Sequence, residues 1–218
     1  MKLMLSARQW WWLALAAFCW PLLILGVDIA NANLGPDPVK AVHIRLGDWS
    51  LRLLCLTLTV TPLQTLTQWR GMADFRQLFG LLTWFYASLH VWVYLGVDQG
   101  WQWPLIAADM AESRYIWFGL LSYLILLLLA LTSSVFAMRL LGRNWKRLHR
   151  YIYLAAPVAV LHYIWQLKGN LAVPAVYGLI VGGLLLFRVA SWLQGRPKLG
   201  QFWPRWAGGR LIQPAKPR

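Results

Sequence analysis

Carboxylates are scarce in this chain: seven Asp and Glu stand against 21 Lys and Arg, and only 13% of the 218 residues are charged. The two cysteines, Cys19 and Cys55, fall inside apolar blocks with no C-x-x-C spacing, which excludes a disulfide framework and leaves reduced packing residues. Histidine is limited to His43, His90, His149 and His162. What the chain has in abundance is apolar surface: 59% hydrophobic residues, 16 Trp and a mean hydropathy of +0.50. A soluble domain of this length cannot hide so much, and the apolar residues come in blocks of about twenty, the length that crosses a hydrocarbon core. The net charge of +14 sits between and after these blocks. That placement sets membrane orientation and argues against a nucleic-acid partner.

The pattern predicts an all-α integral membrane bundle with six spans, near 10–27, 42–62, 77–96, 115–138, 150–167 and 171–192. In the second, His43, Arg45 and Asp48 delay the apolar part to about Trp49, and the fifth holds an internal Pro157. One side of the membrane receives Lys2, Arg8, Arg70, Arg76, Arg139, Arg143, Lys146, Arg147, Arg150 and the basic tail. The other receives Lys40, Arg45, Arg114 and Lys168, with Asp28, Asp37, Asp98, Asp109 and Glu112. The positive-inside rule then makes both termini cytoplasmic. Residues 1–9 form a cytoplasmic N-terminus, 10–194 the six-span domain and 195–218 a basic, interfacial or flexible cytoplasmic tail. The rival reading is a signal peptide cleaved at Ala30-Asn31-Ala32, leaving five spans. Trp10, Trp11, Trp12, Trp101, Trp103, Trp203 and Trp206 suit interfacial belts, residues 104–112 a short surface helix opened by Pro104, and Gly178-x-x-x-Gly182 a helix contact.

Ionisable groups inside apolar spans are costly and usually mark a working site. His149 begins span five and His162 lies 13 residues on, about 20 Å along a helix. His90 is 13–14 residues into the parallel span three, so it is expected at the depth of His162. A lone intramembrane histidine is more often helix glue, but two at one depth favour a shared ligand. They can clamp a porphyrin edge-on, one nitrogen to each side of the iron. Zinc fits less well for want of co-ligands, and a proton relay would find no Asp or Glu inside a span to continue it. His43, among charged neighbours, is expected to be solvated or interfacial. On a straight helix 13 residues turn about 220°, so His149 and His162 share a face only if Pro157 alters the winding.

These residues resemble the transmembrane domain of ferric reductases and NADPH oxidases. More closely, they resemble the haem-binding membrane subunits of bacterial periplasmic protein-methionine-sulfoxide reductase systems. The resemblance covers all six spans. It rests on Arg76-x-x-x-Gly80 leading to Leu89-His90, on Arg114-Tyr115, on Leu141-Gly142-x-x-Trp145-x-x-Leu148-His149, and on His162-Tyr163-x-Trp165. It implies a bacterial inner-membrane haem b protein with one or two haems, His90, His162 and His149 being the iron ligands. The oxidase pattern would place a fourth histidine where this chain has Arg76 and Gln77. Arg76 is thus expected at a haem propionate or a phospholipid rather than on iron.

The resemblance further implies quinol as electron donor, flavin mononucleotide as an additional cofactor, and a periplasmic molybdenum-cofactor subunit that reduces methionine sulfoxide as partner. No flavin or nucleotide domain follows span six, so this chain is expected to relay electrons, with a soluble flavin reductase as the other possible donor. The sulfoxide chemistry would belong to the partner, for which Asp98, Asp109 and Glu112 offer either a docking surface or only a solvated loop. The competing readings are a stand-alone transmembrane ferric or oxygen reductase and a non-redox multi-span protein with structural histidines.

Overall fold

The computed structural model describes residues 7–68, 72–167 and 171–194. The expected basic tail, Lys2, Arg70, Lys168, Trp203 and Trp206 lie outside the described residues. No strand occurs among those described, and the chain is an all-α bundle.

Helix α1 (Ala7–Ala30) carries Pro21 internally and presents Trp20 and Leu23 outward. Helix α2 (Pro38–Thr67) starts earlier than expected. Asp37 caps it by accepting from the Lys40 backbone N–H, and Pro38 occupies the first turn, where its missing donor costs nothing. The charges that delayed this span in the sequence are neutralised within the fold. Arg45 pairs with Asp28 of α1, and Arg52 lies 3.6 Å from Asp48 one turn before it. Asp48 thus sits inside the helix as half of a local ion pair. Arg52 also donates to the Tyr177 hydroxyl at 3.2 Å.

Helix α3 (Met72–Trp92) continues as a π-helical segment, Val93–Asp98. The short helix α4 (Trp103–Glu112) has Pro104 in its first turn, as expected, and tucks Ile106 inward. Helix α5 (Arg114–Leu131) stops short of the expected residue 138. Thr132 and Ser133 turn their hydroxyls back onto the carbonyls of Leu128 and Leu129, while Ser134 caps a separate helix α6 (Val135–Leu141). Gly142, at φ +49°, turns the chain into α7 (Arg143–Leu148). A 3-10 turn, His149–Tyr151, leads to α8 (Ile152–Gln166) with Pro157 inside, and α9 (Ala172–Leu193) closes the bundle.

Among the described residues four stretches are long and apolar enough to cross a membrane: Gln9–Ala30, Phe75–Asp98, Arg114–Leu131 and Ala172–Leu193. The chain is a multi-pass membrane protein, but length and composition alone do not give six spans. Helix α2 has four charges in its first half and five threonines in its second, and α8 is only 15 residues long. At 1.5 Å per residue α8 reaches about 22 Å, short of a ~30 Å core.

Helix α2 is the axis of the bundle. One face joins α1 and α3 in a core of Leu25, Leu46, Leu53, Leu78, Leu82 and Tyr86. Another packs on α5, α8 and α9 through Leu54, Leu58, Leu126, Ala155, Ala156 and Val181. Gly178 of α9 faces Val160 of α8, so this half of the small-residue motif does serve a helix contact, whereas Gly182 faces open space. Large apolar residues on the outer faces stay exposed, as a lipid-facing surface requires.

Candidate functional site

The sequence placed His90 and His162 at one depth, and the structure brings them together. Their ring centroids are 6.3 Å apart with planes at 87°. Each ring is held by a carbonyl on a neighbouring helix. His90 Nδ1 lies 3.0 Å from the His43 carbonyl oxygen of α2, and His162 Nδ1 lies 2.8 Å from the Tyr115 carbonyl oxygen of α5. A carbonyl can only accept, so each Nδ1 carries the proton and each Nε2 is left with its lone pair. Neither Nε2 has a hydrogen bond among the described residues.

Both rings line one cavity of about 440 Å³, which also meets His43, Tyr94, Tyr115 and Tyr163. It lies toward the end of the bundle that carries Asp37, Asp98 and Asp109. Asp109 accepts from the Tyr94 hydroxyl at 2.8 Å, tying α4 to the π-helical segment. Among the described residues no group of three or more His, Cys, Asp or Glu side chains could hold a metal ion by itself.

A bis-imidazole site needs only two protein ligands. Nitrogens about 2 Å to either side of one metal ion put the ring centroids about 6 Å apart. The separation between His90 and His162 matches that requirement. The two unused lone pairs, the fixed tautomers and the cavity that both rings line would suit a haem held by His90 and His162.

His43, expected to be solvated or interfacial, is not solvated at its ring tip: it packs edge to face on His90 with centroids 5.0 Å apart, and its Nε2 is buried without a hydrogen-bond partner. Its sequence neighbours Lys40 and Arg45 concealed this, because only the helix register of α2 shows which face meets α3.

His149 lies elsewhere. Its Nε2 is 3.2 Å from the Thr132 hydroxyl, and its ring stacks on Trp145 at 4.0 Å, while Trp145 donates to the Thr132 carbonyl. His149 and His162 thus both turn toward α5, one at each end. The 3-10 turn at His149–Tyr151 winds more tightly than an α-helix and reduces the 220° mismatch expected of a straight one. Arg76 donates to the Thr61 hydroxyl at 2.9 Å and keeps a buried Nε without a partner, and Gln77 donates to the Ser133 carbonyl. These contacts place Arg76 against α2 and His149 against the break after α5.

The ferric reductase like transmembrane component family matches residues 46–160, from α2 to just before His162. The haem-binding subunit MsrQ of protein-methionine-sulfoxide reductase from Xanthomonas campestris pv. campestris (strain B100) is 43% identical over 187 residues, 83% of this chain and 86% of that protein. The MsrQ subunit of Brucella anthropi is 42% identical over 162 residues, 73% of this chain and 72% of its own length. This chain belongs to the ferric-reductase-like transmembrane family, in the branch formed by the MsrQ proteins.

Proposed function

We propose that this chain is the haem b electron-transfer subunit of a bacterial protein-methionine-sulfoxide reductase system, with His90 and His162 as the axial ligands of a haem. One observation carries the reading: two imidazoles at ligand spacing that line one cavity, each with Nδ1 on a carbonyl and Nε2 left free to bind. The names of the relatives, haem-binding subunits, agree with it. When bound, a haem held by His90 and His162 would supply one-electron exchange. The residues do the rest. The His43 and Tyr115 carbonyls fix the ligand planes, and Leu54, Val91, Leu120 and Ala159 supply apolar wall from α2, α3, α5 and α8.

In this reading α1, α2, α3, α5, α8 and α9 are the six spans of a bacterial inner-membrane protein with both termini cytoplasmic, so the cavity opens toward the periplasm. Electrons come from quinol, or from a cytosolic flavin reductase, on the side of Arg76 and His149. They leave toward a periplasmic molybdenum-cofactor subunit, which performs the sulfoxide reduction. His149 and Arg76 mark an inner cofactor site, with His149 as the ligand to a second haem and Arg76 as the partner of an acidic group. Flavin mononucleotide belongs to this reading on resemblance alone.

The test is a reduced-minus-oxidised visible spectrum of the purified full-length protein. The reading predicts sharp six-coordinate low-spin b-type bands that disappear in His90→Ala and in His162→Ala. A colourless protein from haem-replete cells overturns it.

A further inference from the structure

The two ligand histidines are seated in the same way, and each seat includes a glycine one helical turn past the carbonyl that holds the ring. His43 offers its carbonyl to His90, and Gly47 follows four residues later on α2. Tyr115 offers its carbonyl to His162, and Gly119 follows four residues later on α5. In an α-helix the carbonyl of residue i points at the turn containing residue i+4. An imidazole that bonds this carbonyl as a second donor must therefore lie over position i+4.

The distances show how closely it does so. A Cβ at position 119 would stand 2.7 Å from both Cε1 and Nδ1 of His162 and 3.3 Å from Cγ. A Cβ at position 47 would stand 3.4 Å from Cε1 and 3.5 Å from Nδ1 of His90. Neither glycine has the positive φ that marks Gly35, Gly100 and Gly142. Both sit inside helices, where glycine costs about 1 kcal/mol relative to alanine. Backbone conformation thus gives no reason for glycine at either place; at position 119 the approach of the imidazole does, whereas a Cβ at position 47 would make only an ordinary contact.

We infer that Gly119 is a positioning residue for a haem ligand: the missing side chain lets the His162 imidazole reach the Tyr115 carbonyl and so sets the plane and tautomer that it presents to iron. The inference rests on the proposed axial pair. With rings at 87°, the ferric low-spin EPR signal is sensitive to any rotation of either ring.

The full-length haem-loaded protein is measured for haem-to-protein ratio, visible spectrum and ferric EPR in Gly119→Ala, in His162→Ala and in the variant carrying both changes. Gly182→Ala, where a Cβ meets nothing within 4 Å, is the control. The seat predicts altered g-values or lost haem in Gly119→Ala and wild-type spectra in Gly182→Ala. Wild-type g-values and full haem in Gly119→Ala overturn it. If Gly119→Ala does not accumulate, the double variant decides: accumulation restored to the level of His162→Ala supports the clash with the ring, and continued failure overturns it. A low-spin spectrum that survives His162→Ala defeats the axial pair instead. Loss of that spectrum in His162→Ala, with no change in Gly119→Ala, defeats the seat alone.

Discussion

His43 and His90 meet edge to face, with ring centroids 5.0 Å apart, and the backbone of the first holds the ring of the second. Side chain and carbonyl of His43 therefore have separable roles. In His43→Phe the carbonyl tether persists and the aromatic contact is kept. The low-spin haem bands are expected to survive this change and to vanish in His90→Phe, as read by visible spectroscopy. Loss of the bands in His43→Phe would make His43 a ligand.

His149 does not reach the outer pair. Its ring packs on Trp145 and its Nε2 meets Thr132. The EPR signal assigned to the His90–His162 pair should therefore persist in His149→Ala. Any second haem should be the one that disappears, lowering the haem-to-protein ratio from two to one.

Ala155 is fully buried where α8 meets α5, and the Ser122 hydroxyl donates to its carbonyl at 3.1 Å. A larger side chain there must push the two helices apart. Ala155→Leu is expected to cost about 1–3 kcal/mol, measured by unfolding in detergent. Because α5 carries Tyr115 and α8 carries His162, haem affinity should fall as well.

The cavity opens among Asp37, Asp98 and Asp109. If a basic partner docks there, Asp98→Asn should slow electron delivery to it at low ionic strength and matter little at high salt, since screening removes long-range steering. Stopped-flow rates at two salt concentrations make the comparison. Equal slowing at both would place Asp98 in a structural role.

The sequence made the central pair legible because depth is simple arithmetic: span limits and 1.5 Å per residue suffice to bring His90 beside His162. It said less about helix faces. The packing of His43 on His90 and the pairing of Asp48 with Arg52 depend on which face of α2 each residue occupies, which composition does not give. The break at Thr132–Ser134 was hidden by the apolar residues on either side, since hydropathy does not register a hydroxyl returning to its own backbone. Gly119 reads as an ordinary small residue in an apolar helix. Only the position of a ring borne on another helix gives it meaning.

The paired tethers also have an entropic side. With each imidazole anchored to a carbonyl, little rotamer freedom is left to lose on ligation, so in the proposed reading affinity for the macrocycle comes from its contacts and not from ordering its ligands.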